Sequence, residues 1–170
     1  GTLGGGGSGS NVNLGGPAGD GSTYPTGLTM GGAACGAGGG GGGGDGWVST
    51  DTGGDGGLYG AGAGGGGNST IGSAAGTAAQ GVVIIQYRPK ILFSAGSRLV
   101  TVCLASGSSW TVPNDWNSAA NYIHVIGAGG GSDQGTATEG GGGGGGGAYA
   151  RDDNLALTAG ASVSYSIGAA

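Results

Sequence analysis

The chain has 170 residues, 52 of them glycine, with a net charge of −5 and only 8 % charged residues against a usual ~25 %. Glycine does not recur strictly every third residue and prolines number only four, so a collagen triple helix is excluded. The four cationic residues, Arg88, Lys90, Arg98 and Arg151, cannot track a phosphate backbone, so no nucleic-acid partner is expected.

The length fits one domain. No apolar run approaches the ~18 residues that would span a bilayer as a helix, so no membrane insertion is expected, and no signal peptide is visible. The chain starts at Gly1 and its only methionine is Met30, which reads as a processed product or a window of a longer protein. Cys35 and Cys103 lack a CxxC partner and are expected as free, buried thiols, with a single bridge as the alternative.

Residues 1–80 carry almost no signal for regular structure. No window has apolar residues at helical spacing, and each glycine costs a helix about 1 kcal/mol. Short patches bearing side chains (Val12-Asn13-Leu14, Tyr24-Pro25-Thr26, Trp47-Val48, Leu58-Tyr59) punctuate the glycine. Between them lie the runs Gly38–Gly44 and Gly64–Gly67, and Gly-Asp-Gly turns stand at 19–21 and 44–46.

After Gln80 the composition changes. Val82–Arg88 is a β-branched run between Gly81 and Pro89 and predicts a buried strand carrying Val83, Ile85 and Tyr87. A linker with the apolar patch Ile91-Leu92-Phe93 follows, then a second strand over Arg98–Leu104 with Val100 and Val102. Further strands are predicted at Ser109–Val112, at Asn121–Ile126 with Ile123 and Val125, and at Leu155–Leu157. The last is Ser162–Ile167, whose alternation puts Val163 and Tyr165 on one face.

The strand at 121–126 empties into Gly127-Ala128-Gly129-Gly130-Gly131 and then the unbroken run Gly140–Gly147. Without Cβ, glycine readily adopts the extended left-handed helix of three residues per turn, at ~3.1 Å per residue. Such rods have no internal hydrogen bonds and must pair sideways, because buried backbone groups need partners. Ordering each residue costs roughly 1–2 kcal/mol, whereas one net hydrogen bond returns only ~0.5–1.5 kcal/mol. Apolar strands must therefore close the faces of the bundle. The expected fold is mainly β with irregular structure: short strands packed on polyglycine-II-like extended helices, with no α-helix of note.

Chemistry-bearing motifs are scarce. Val125–Gly131 imitates the start of a dinucleotide-binding turn, but no helix follows to hold a pyrophosphate. Gly40–Val48 fits one copy of the calcium-binding nonapeptide with Asp45 as ligand, and Asp51 and Asp55 lie nearby; a single copy reads as solvated loop aspartates, leaving no metal site expected. His124 is the only histidine and reads as a half-buried structural residue, while adjacent Asp152 and Asp153 would face opposite ways on a strand. No nucleophile, base and orienting group come together, so neither enzyme activity nor a cofactor is expected.

The stretch Ser109-Trp110-Thr111-Val112-Pro113, continuing at Tyr122–Gly130, resembles the glycine-rich domain of bacteriophage and prophage tail fibre and adhesin proteins. In that family a TVP turn leads to a strand ending in GAGGG, then a glycine run, a segment like Asn154–Gly168, and a closing strand like Gly81–Tyr87. Here the closing strand precedes the opening turn, an apparently permuted order that fits a permuted protein, a tandem array cut out of phase, or a subunit completed by its neighbour. The organisation expected is a glycine bundle ending in a closing strand over 1–88, a connecting apolar segment over 89–108, and an opening strand with its glycine run over 109–170.

The resemblance implies a non-enzymatic virion tail component whose loops bind a host-surface receptor through Tyr24, Trp47, Tyr59, Asn114 and Trp116. It implies a virion or extracellular location and a homo-oligomer or larger assembly. Trp47 and Trp110 could instead cap the glycine lattice. The alternatives are an extracellular filament whose subunits complete one another head to tail, and an ice-binding protein of the springtail type, which the long Val-Ile strands fit poorly.

Overall fold

The structure, a computed structural model, is described over residues 38, 40–44, 52–68, 72–90 and 99–170. Among them there is no α-helix; the regular elements are six strands, β1 (Val82–Tyr87), β2 (Val100–Leu104), β3 (Ser109–Thr111), β4 (Asn121–Ile126), β5 (Tyr149–Asp153) and β6 (Ser162–Ser164). Four form an antiparallel sheet in the order β2-β1-β4-β5, and β3 pairs with β6 in a second sheet.

β1 is buried along its whole length, as its β-branched run Val82–Ile85 favours, with Gln86 as its buried polar residue. Its two faces meet different neighbours. Val83, Ile85 and Tyr87 pack with Val112 and Trp116, and the half-buried Trp110, Val163 and Tyr165 close that core from the second sheet. Trp116 sits 5.2 Å from Tyr87 and 5.6 Å from Trp110 between ring centroids, in tilted and edge-on arrangements that favour aromatic pairs. On the other face Val82 and Ile84 pack with Tyr59 and Ile126, where the sheet meets the glycine-rich part of the chain.

That part consists of extended segments linked laterally by backbone hydrogen bonds, with residues 60–66 at the centre. The carbonyls of Tyr59, Gly62 and Gly65 accept from Gly38, Gly41 and Gly44 at 2.9–3.0 Å. Those of Gly60, Ala63 and Gly66 accept from Gly147, Gly144 and Gly141 at 2.6–2.8 Å, and those of Ala61 and Gly64 from Ala79 and Gly76 at 2.9 Å. In each set the bonded residues of the central segment are three apart. Its amides add bonds from Ala63 to Gly130, from Gly66 to Asp133 and from Gly64 to Gly54.

The five neighbours are also bonded to one another. Gly54 donates to Gly42, Gly53 and Gly56 to Ala74 and Thr77, Gly129 to Ala79, and Gly130 and Asp133 to Gly145 and Gly142. The order round the centre is therefore 40–44, 53–56, 74–79, 129–133 and 141–147. Close approach explains the glycine: a Cβ on Gly41, Gly53, Gly62, Gly65, Gly129, Gly141, Gly144 or Gly147 would collide with the carbonyl of a neighbouring segment.

Three expectations need correction. Leu155–Leu157 is not a strand, because the Leu155 backbone is bonded by side chains: its N–H donates to Asn121 Oδ1 at 2.9 Å, and its carbonyl accepts from Asn121 Nδ2 and Trp116 Nε1. The second and last strands are shorter than read, so Tyr165 lies just past β6; its N–H goes instead to the Ser108 carbonyl at 3.0 Å and its hydroxyl to Ser106. Cys103 is disulfide-bonded, not a free thiol; Cys35 lies outside the described residues. β5 was not anticipated, since Tyr149-Ala-Arg-Asp-Asp is a polar, fully exposed edge strand with no apolar alternation.

Candidate functional site

The sequence-derived contact residues do not converge. Tyr59 is 8 % exposed and Trp116 2 %, so both side chains belong to the core and present almost no surface to a partner. The reasons differ: the Tyr59 ring covers the junction of the glycine-rich segments with Val82 and Ile84, whereas Trp116 fills the core between the sheets against Tyr87 and Trp110. Asn114 is exposed in the turn closed by the Trp116 N–H on the Pro113 carbonyl at 3.1 Å. Tyr24 and Trp47 lie outside the described residues, as do Asp45 and Asp51. Asp55 accepts the Thr77 N–H at 2.7 Å, tying two glycine segments together, and no cluster of metal-ligating residues occurs among the described residues.

Three surfaces gather chemistry. The first lies on the sheet face that carries Ile84. Register places His124 between Ile84 of β1 and Arg151 of β5. His124 is 3 % exposed, deeper than expected; its Nδ1 is 2.8 Å from the Tyr149 hydroxyl and its Nε2 3.2 Å from Gln86 Oε1. Burial, and then the nearby Arg151 guanidinium, push the His124 pKa below its ordinary value, while Asp153 pulls the other way. The ring is therefore held neutral. Arg151 grips Asp153 with two hydrogen bonds, at 2.6 and 2.9 Å, and lies 4.5 Å from the centre of the Tyr122 ring. The row knits β1, β4 and β5.

The second is an apolar cleft of about 210 Å³ between the two sheets, walled by Trp110, Ile123, Val125, Leu157, Val163 and Tyr165. The third is a groove of about 420 Å³ in the glycine-rich part, floored by Gly60, Ala61 and Gly62 and walled by Gly38 and Gly40 on one side and Gly144, Gly146 and Gly147 on the other. Ile126 and the half-exposed Tyr149 line it too, at the junction with the sheet.

Away from the sheet the lattice segments are joined by an ordered turn. The Thr136 N–H donates to the Glu139 carbonyl at 2.7 Å, and the Thr136 hydroxyl accepts the Glu139 N–H at 3.0 Å. Gln134, Thr136, Thr138 and Glu139 are all exposed there. Sequence reading passed over this turn because it has no aromatic and no charge run, although Thr-x-x-Glu is a capping pattern that could have marked it.

No family model, no curated protein and no solved structure matches the chain. Among the described residues no helix is long and apolar enough to cross a membrane.

Proposed function

We propose that this chain is a non-enzymatic structural and adhesion protein of the phage-tail type, in which polyglycine-II-like rods form a stiff scaffold that presents short turns to a receptor on a host surface. The observation that carries the reading is the three-residue period of the bonds round residues 60–66. A segment with three residues per turn points successive carbonyls in three directions, and the three sets of carbonyls address three different neighbours. Bare rods packed this way place turns on a rigid base without the bulk of a side-chain core.

The resemblance to tail glycine-rich domains supplies the host-surface role. β1 and β4 pair within one chain, as do the segments 60–66 and 141–147, which favours a permuted order inside one unit over completion by a neighbour. The Cys103 disulfide is in keeping with a virion or extracellular location, where disulfides persist. The contact residues assigned to the receptor are Gln134, Thr136, Thr138 and Glu139, with Asn114 on the sheet end.

The test is retention of the purified chain on envelopes from a panel of bacteria. Binding to at least one envelope, lost when 134–139 is replaced by Gly-Ser repeats and kept in the Asp152→Asn variant, is the expected result. A chain that no envelope retains would sink the adhesion role.

A further inference from the structure

Cys103 is held in a disulfide, and the sequence contains one other cysteine, Cys35, which lies outside the described residues. We infer that these two are bridged, and that the bridge is a redox-controlled clasp holding segment 38–44 on the rest of the fold.

Register sets Cys103 opposite Ile84, on the sheet face that meets the glycine-rich part. There the half-buried Cys103 packs, with Ala105, against the cluster of Tyr59, Val82, Ile84 and Ile126. Tyr59 carries that cluster on to the glycine segments, because its carbonyl accepts the Gly38 N–H at 2.9 Å. Cys35 stands three residues before Gly38, at most about 10 Å of extended chain. A disulfide spans a further ~4.4–6.8 Å between Cα atoms. The clasp therefore acts close to the first hydrogen bond of the segment.

Segment 38–44 needs such an anchor. From Gly36 to Gly44 the sequence has one side chain, the methyl of Ala37, so the segment brings almost no apolar surface to bury. Glycine also loses more conformational freedom on ordering than any other residue. Among the described residues four backbone bonds hold it: Gly38, Gly41 and Gly44 donate to Tyr59, Gly62 and Gly65, and Gly54 donates to Gly42. One net bond does not exceed the ordering cost of one residue, and here the bonds are fewer than the residues.

Other neighbours of the centre are anchored through the chain itself. Segment 74–79 leads towards β1, 129–133 follows β4, and 141–147 precedes β5. Segment 38–44 adjoins none of the six strands, and a covalent link to β2 gives it the equivalent hold. A dithiol opens the link: two electrons and two protons pass to the two sulfurs, and the reagent closes into its own cyclic disulfide. Docking of 38–44 is then complete in an oxidising compartment and lost in a reducing one.

The test is peptide mapping of the alkylated, non-reduced chain, followed by amide exchange before and after dithiothreitol. Mapping should return the peptides of Cys35 and Cys103 as one linked pair within a monomer. After reduction the Gly41 and Gly44 amides should gain at least about tenfold in exchange rate relative to those of Ile84 and Ile85. Cys35→Ser should reproduce the reduced wild type and show no response to dithiothreitol. Two alkylated thiols, or a bridge between two chains, would overturn the pairing. Equal acceleration at Gly41 and Ile84, as a purely global loss of stability gives, would overturn the clasp. So would unchanged exchange after reduction, or a Cys35→Ser variant with the pattern of the oxidised wild type.

Discussion

Gly144 and Gly145 are the same letter in the same run, and the fold treats them oppositely. A Cβ on Gly144 would fall on the Gly130 carbonyl, whereas a Cβ on Gly145 would meet nothing within 4 Å. Neither residue has a positive φ, so alanine is conformationally acceptable at both. Gly144→Ala should therefore push the 129–133 and 141–147 segments apart and lose roughly 1–3 kcal/mol. Gly145→Ala should gain roughly 0.4–1 kcal/mol by narrowing the unfolded ensemble. Urea unfolding of the two variants reads the sign directly; equal effects would mean the three-residue phase has been misassigned. The phase is invisible in the sequence because every third residue can be picked out only where other letters interrupt. Ala61 and Ala63 are such interruptions, and both are buried at positions where a methyl fits.

At the scale of the strand, His124 shows what alternation could and could not reveal. Its placement opposite Ile123 and Val125 follows from the pleat and was legible, as was the whole span of β4. The ring's partners were not. Gln86 comes from β1 and Tyr149 from β5, an edge strand whose polar letters carry no strand signal. Trp110–Pro113 was readable as a strand leading into a turn, whereas Leu155 was misread because two side chains, not a neighbouring strand, satisfy its backbone.

The buried imidazole makes a pH prediction. His124 has a folded pKa lowered from 6.5, chiefly by burial, so the folded state prefers the neutral ring. Its contribution to stability is fully present above about pH 6.5 and is lost as pH falls toward the lower folded value. Stability should thus begin to fall below roughly pH 6.5, before the carboxylates titrate. His124→Gln, less stable at neutral pH, should show no decline between roughly pH 6.5 and 5. A wild-type profile that stays flat across that window contradicts the assignment of a buried neutral ring.

For the molecule as a whole, the question is whether the lattice and the sheet stand or fall together. One net hydrogen bond per residue, at ~0.5–1.5 kcal/mol, does not exceed the roughly 1–2 kcal/mol of backbone ordering, so the glycine segments have little stability of their own. They are continuous with the sheet at several places. Gly60 donates to Gln80 at 2.8 Å, just before β1, and Gly127 donates to Ala148 at 2.8 Å, between β4 and β5. Tyr59 leaves the central segment to pack on Val82 and Ile84. A lattice that is marginal alone and fixed to the most buried strand at its root has no independent route to open. The amides of Gly64, Gly66 and Gly144 should accordingly exchange through the same global unfolding as those of Ile84 and Ile85, with equal opening free energies and equal dependence on added urea. Glycine amides exchanging orders of magnitude faster than β1 would mean that the segments open separately, against the rigid scaffold proposed above.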